Sequence, residues 1–189
     1  MLGTPWLWIT IVVFAISNIT LSGPYAVSMP FLVKDHLKAD VRVLGLLYAI
    51  FPIGYVAGSL WLGGKNSLRH RGVLIYISGI VAGVMLALFG LTVSLWALCL
   101  AAFINGAAME VGSLTWINTL QTLIPREKLG RVSSVDTLGS FALFPIGYGI
   151  FGWATELIGA PSVFLLGGGI TALITLLVFV LAPAVRKLD

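Results

Sequence analysis

Charge is scarce in this chain. Asp, Glu, Lys and Arg make up 10% of its 189 residues, and there are one cysteine and two histidines. Each shortage excludes something. A single cysteine, Cys99, excludes an intrachain disulfide; it lies in an apolar run and reads as a small hydrophobe. His36 and His70 fall in loops and show no metal-ligand spacing, so neither a metal nor a cofactor is expected. No glycine-rich phosphate loop with a lysine follows a strand pattern, and no serine or cysteine nucleophile stands in a motif with a base. The chain therefore does not read as an enzyme. No basic face is interleaved with aromatics, which argues against nucleic acid as a partner. Met1–Pro5 carries no charged stretch, and the first apolar run is too long and too polar at its middle for a cleaved signal peptide.

Apolar surface is what the chain has in excess. It is 59% hydrophobic, with a mean hydropathy of +1.05. A soluble domain of this size has too little interior to hide so much, so the solvent is lipid. A helix needs roughly 20 mostly apolar residues to cross the hydrocarbon core. Six runs qualify: Trp6–Leu32, interrupted at Gly23-Pro24, then Val43–Leu62, Gly72–Leu91, Leu95–Ile124, Val132–Ala154 and Ser162–Ala182. Backbone groups in lipid must be paired within their own segment, which makes these runs helices. The expected fold is all-α, a single polytopic membrane domain over residues 1–189 with no polar linker. The fourth run exceeds what a bilayer needs and should tilt or protrude.

Loop charges orient the spans. Lys65, Arg69 and Arg71, then Arg126, Lys128 and Arg131, then Arg186 and Lys187 all fall on one side of a six-span chain. The other side has only Lys34, Lys38 and Arg42, diluted by Asp35 and Asp40. The positive-inside rule places the first side, and with it both termini, in the cytoplasm.

The sequence Phe-Pro-Ile-Gly-Tyr occurs twice, at Phe51–Tyr55 and Phe144–Tyr148, almost half the chain apart. Each copy falls in the middle run of a triplet, slightly toward the outer side of its centre. The triplets, about residues 1–92 and 93–189, start on opposite sides of the membrane. That is the expected placement for an inverted 3+3 repeat.

Five residues stand out as a candidate substrate or proton site. Glu110 is the one acidic residue deep within a predicted span, where a charge costs on the order of 3 kcal/mol on insertion scales. Its helical face also carries Ser113 and Gln121, with Asn118 at the edge. Asn18 lies near the membrane middle in the first run, which is the most polar of the six. A binding site for a cationic substrate or a proton is one reading; a protonated carboxyl hydrogen-bonded inside a bundle is the other. Pro24, Pro52 and Pro145 should loosen or bend their helices, and Gly54 and Gly58 allow close helix approach. With Gly147 these are candidate gate or hinge positions, or plain packing. Asp136, near the cytoplasmic end of the fifth run, is placed to pair with Arg131 as a local ion pair or a state-dependent latch.

Two stretches carry a family resemblance. Gly54 and Gly58 lead into Gly63-Gly64-Lys65 and Arg69-His70-Arg71-Gly72, which is similar to the basic loop of the major facilitator superfamily, with its usual Asp absent. Leu120-Gln121 and Ile124 through Ser134, followed by Pro145-Ile146-Gly147 and Gly152, resemble the loop and eleventh helix of its drug and siderophore exporters. The chain as a whole resembles helices seven to twelve of such a transporter. The resemblance implies half of a secondary-active transporter, exporting small amphipathic organic compounds against protons across a bacterial inner membrane. Runs one and four would line the central cavity, runs two and five would meet the other half, and runs three and six would face lipid. The partner would be an N-terminal half or a second copy of this chain. The alternative is a non-transporting or truncated six-helix subunit that acts through assembly.

Overall fold

The computed structural model describes residues 5–65 and 68–186. Lys187 lies outside the described residues. The order of elements is α1 (Pro5–Gly23), a π-helical turn (Pro24–Ser28), α2 (Met29–Phe31), a second π-helical stretch (Leu32–His36), α3 (Val41–Gly63), α4 (Arg71–Leu88), α5 (Leu95–Leu123), α6 (Arg126–Phe141), α7 (Phe144–Ile158), α8 (Ala160–Leu181) and α9 (Pro183–Arg186). Every regular element among the described residues is helical. Six helical stretches are long and apolar enough to cross a membrane.

Two spans depart from the sequence expectation. The first is not interrupted at Gly23-Pro24 but runs unbroken from Trp6 to His36. Pro24 has no N–H to give to the Thr20 carbonyl, and the ladder answers by slipping into the wider π register. The freed Thr20 carbonyl lies against Gly167 of α8, where a β-carbon would overlap both it and the Pro24 ring. The fifth span starts earlier and is broken. Pro125 caps α6, so Arg126, Lys128 and Arg131 are helical rather than in a loop. The helix stops at Ala142-Leu143 and restarts as α7 with Pro145 in its first turn. The Pro145 ring would collide with the carbonyl one turn back if the helix ran on. Pro52, by contrast, stays inside an unbroken α3.

Glycines set how the spans cross. A β-carbon at Gly54 would overlap the Phe103 carbonyl of α5, and one at Gly58 the Ala107 carbonyl. On the other side of the bundle Gly147 meets Ile19, and Phe151 meets Gly23. In both sets the partners ascend together by one helical turn, so α3 runs parallel to α5 and α7 parallel to α1. On α4 the order reverses: Gly79 meets Thr175, Gly83 meets Gly168 and Ala172, and Gly90 meets Pro161. The helices α4 and α8 are therefore antiparallel. Six spans that alternate in direction require all three relations.

Apolar packing closes one end of the bundle more tightly than the other. One cluster joins Met29, Leu32, Leu47, Leu86, Phe89, Leu98 and Phe164, all fully or almost fully buried. A second, around Leu7, Ile11, Tyr76, Trp116, Val132 and Val185, lies at the opposite end. The middle spans are the least enclosed. In their most apolar stretches, 17% of α3 residues and 12% of α6–α7 residues are buried, against 50% in α5.

Candidate functional site

Between the clusters lies a cavity of about 510 Å³. Every one of the six spans contributes to its wall: α1 with Phe14, Ser17, Asn18 and Ser22, α3 with Tyr55, α4 with Tyr76 and Ser78, and α5 with Ser113, Trp116 and Gln121. The fifth span adds Ser133, Asp136, Thr137, Ser140 and Phe144, and α8 adds Thr175. The cavity extends from mid-span toward the end that carries the α5–α6 turn, as Gln121, Leu129 and Ser133 show. It is therefore shut by the first apolar cluster at the opposite end. A concave volume with a mostly apolar wall and a few convergent polar groups is the ordinary form of a small-molecule site.

The residues singled out from sequence separate into three groups. Asn18, Ser113, Gln121 and Asp136 all face this cavity. Glu110 is buried, at 7% exposure, but does not line it. It sits about 60° round the helix from Ser113, since three residues turn an α-helix by about 300°. That rotation aims it at the α3 crossing, where it meets the Tyr55 hydroxyl, which also reaches Ser113. Tyr55 lines the cavity, so its side chain stands between Glu110 and that volume. Asn118 is exposed on another face of α5 and takes no part in the wall.

Asp136 does not pair with Arg131. Its Oδ2 accepts from the indole Nε1 of Trp116 at 3.1 Å, while the Arg131 side chain is exposed. Positions five apart on a helix are about 140° apart in angle and do not face each other. The ion pair found among the described residues joins Asp40 and Arg42 at the other end of the molecule.

The hinge candidates are packing positions in this conformation. Gly54 and Gly58 hold the α3–α5 crossing, Gly147 holds α7 on α1, and Pro24 rests on Gly167. Polar side chains tie the same helices across buried surfaces. Thr20 Oγ1 lies 2.6 Å from Thr171 Oγ1, Ser28 Oγ 2.7 Å from Thr155 Oγ1, and Thr10 Oγ1 3.1 Å from the Tyr76 hydroxyl. Ser17 Oγ, in the cavity wall, is buried with no protein partner.

Sequence reading missed Trp116, the residue that holds Asp136. Trp116 is itself fixed by Phe14, stacked at 5.4 Å, and by Trp6, edge-on at 6.4 Å. Its one available signal was spacing: it follows Ser113 by three residues and so shares its helical face. Among the described residues no group of three or more His, Cys, Asp or Glu gathers as a metal site.

Comparison with known proteins agrees with this architecture. The family model described as Major Facilitator Superfamily matches residues 7–189. The curated protein "Enterobactin exporter EntS" of Escherichia coli O1:K1 / APEC is 31% identical over 137 residues, covering 71% of this chain and 32% of that protein. Its counterparts in Shigella flexneri and in Escherichia coli O139:H28 (strain E24377A / ETEC) match to the same extent. The aligned part is thus about a third of the length of these relatives. With a family match over nearly its whole length and six apolar spans around a common cavity, the chain belongs to the Major Facilitator Superfamily.

Proposed function

We propose that this chain is half of a secondary-active membrane transporter that exports small amphipathic organic compounds in exchange for protons. One observation carries the reading: a cavity walled by all six spans, apolar for the most part, with Asn18, Ser113, Gln121 and Asp136 turned into it. An inert bundle has no use for a volume lined from every helix. Relatives named as exporters support the outward direction. So does the cavity's opening toward the end with the basic loops, which the loop charges assign to the cytoplasm together with both termini. The organisms of those relatives fit a bacterial inner membrane.

The other half of the cavity wall belongs to a partner, an N-terminal half or a second copy of this chain. The least enclosed spans, α3 and α6–α7, offer the docking faces. The glycine contacts support an inverted 3+3 repeat, for the duplicated Gly54 and Gly147 each press on the first helix of the other triplet. In this scheme Glu110, joined to the cavity through Tyr55, carries the exchanged proton.

The test is proton-driven uptake into inside-out vesicles, with this chain expressed alone, with a partner half, and as Glu110→Gln with the partner. Transport that needs the partner and is weakened by the Gln variant is the expected result. Unchanged proton-driven transport in a well-expressed Gln variant removes Glu110 from the mechanism. No transport in any pairing that assembles stably favours a subunit that acts by assembly alone.

A further inference from the structure

Asp136 is the only fully charged side-chain type in the cavity wall among the described residues; no Lys, Arg or His lines it. Its setting is built rather than accidental. Trp116 donates to Oδ2 and is locked by Phe14 and Trp6, so the carboxyl is held in one orientation. No described residue donates to Oδ1. Ser133 and Ser140 stand about one turn to either side on the same wall, and Thr137, the next residue, also lines it. Phe14, Tyr55 and Phe144 line the same cavity.

A carboxylate with one oxygen tethered and one facing a mostly apolar cavity attracts positive charge. Aromatic surfaces reinforce that preference, because ring faces attract cations and tolerate apolar bulk around them. We infer that Asp136, oriented by Trp116, forms a subsite for the cationic group of an amphipathic compound, an ammonium or a delocalised organic cation, and sets the charge selectivity of the cavity. The inference rests on the cavity being the path of the cargo, as proposed above, and adds to it the class of cargo. It also gives Asp136 a role other than a latch to Arg131.

Tetraphenylphosphonium and tetraphenylborate are near-identical in size and shape and opposite in charge. The experiment measures binding of each by equilibrium dialysis to the purified chain in phosphatidylcholine nanodiscs, with empty discs subtracted. The wild-type chain should bind the phosphonium more tightly than the borate. Asp136→Asn keeps an acceptor for the Trp116 indole, so it should fold. It should weaken phosphonium binding by about tenfold or more, the scale of one charge-assisted contact, and leave the borate unweakened. Adding Ser133→Asp to Asp136→Asn returns a carboxylate to the same wall one turn away and should restore most of the phosphonium affinity. Phosphonium binding that survives Asp136→Asn, borate binding that falls equally, or absence of phosphonium binding above empty discs would each overturn the inference. Loss without recovery in the double variant would mark the effect as structural and overturn it as well. Binding that depends on Asp136, in a chain that supports no transport with any partner, would count against the transport reading alone.

Discussion

Two carboxyl groups singled out from the sequence, Glu110 and Asp136, lie inside the spans, and the molecule treats them differently. Glu110 stands at the crossing of α3 and α5, where the helices touch backbone to backbone and little space is left. Its partner there is the Tyr55 hydroxyl. Asp136 stands in the cavity wall, tied by one oxygen to Trp116, with the other left open. Depth in the membrane made Glu110 the conspicuous residue, but depth says only that a charge needs a reason to be there. The direction of the side chain decides what that reason is. A carboxyl aimed at a helix crossing is a structural element first, and one aimed into a volume is a recognition element first.

The largest expected effect tests whether the crossing is as tightly closed as this comparison requires. Gly54→Ala places a methyl group in the Phe103 carbonyl, which is backbone and has no rotamer to escape into. Thermal unfolding in a fixed detergent should show a loss of about 3 kcal/mol, at the top of the range for overpacking. Gly45→Ala, on the same helix with nothing near its missing β-carbon, should be neutral or gain up to about 1 kcal/mol from helix propensity. Equal melting temperatures for the two variants would show that the crossing yields, and that Glu110 is less enclosed than described.

A smaller effect tests the polar contact at the crossing itself. Tyr55→Phe removes the hydroxyl that lies near Glu110 and Ser113. The expected loss is about 1 kcal/mol, since hydrogen bonds between membrane helices average less than their counterparts in water would suggest. Glu110→Gln keeps a group able to bond that hydroxyl and should change stability by less than about 0.5 kcal/mol. If Glu110→Gln proves the more damaging, the ionised carboxylate itself holds the crossing, and Glu110 is no candidate for exchanging a proton.

How much of this was legible before the structure depended on the kind of signal. Spans two, three, four and six were readable to within a few residues, because lipid imposes length and apolarity on every one of them. The first span was misread at Gly23-Pro24, since a missing N–H in a helix can be absorbed by a π turn where a small neighbour such as Gly167 makes room. That room comes from α8, far away in sequence. The start of the fifth span was hidden by its charge: Arg126, Lys128 and Arg131 look like loop residues until Pro125 is seen to cap a helix that contains them. In the candidate site, Asn18, Ser113 and Gln121 could be named from polarity within apolar runs, whereas Asp136 reads from sequence as a partner of Arg131. Their grouping around one volume could not, nor could the assignment of Asp136 to Trp116, because both depend on where α5 and α6 place their faces.

The smallest expected effect is the most diagnostic for the cavity wall. Trp116→Phe keeps an aromatic ring against Phe14 and Trp6 but removes the N–H that holds Asp136. If Asp136 were an ordinary buried polar residue, losing its one donor would strand the carboxyl and cost about 2 kcal/mol. A carboxyl in a cavity wall can turn toward water instead, and the cost should fall to about 0.6 kcal/mol, the typical value for one hydrogen bond between membrane helices. The same variant should loosen the orientation of Asp136 without removing its charge. Phosphonium affinity should then drop by about threefold, less than for Asp136→Asn. Thermal unfolding and equilibrium dialysis on one preparation read both quantities. A large stability loss with unchanged phosphonium affinity would place Asp136 with Glu110, as a second structural carboxyl, and would erase the contrast between the two sites.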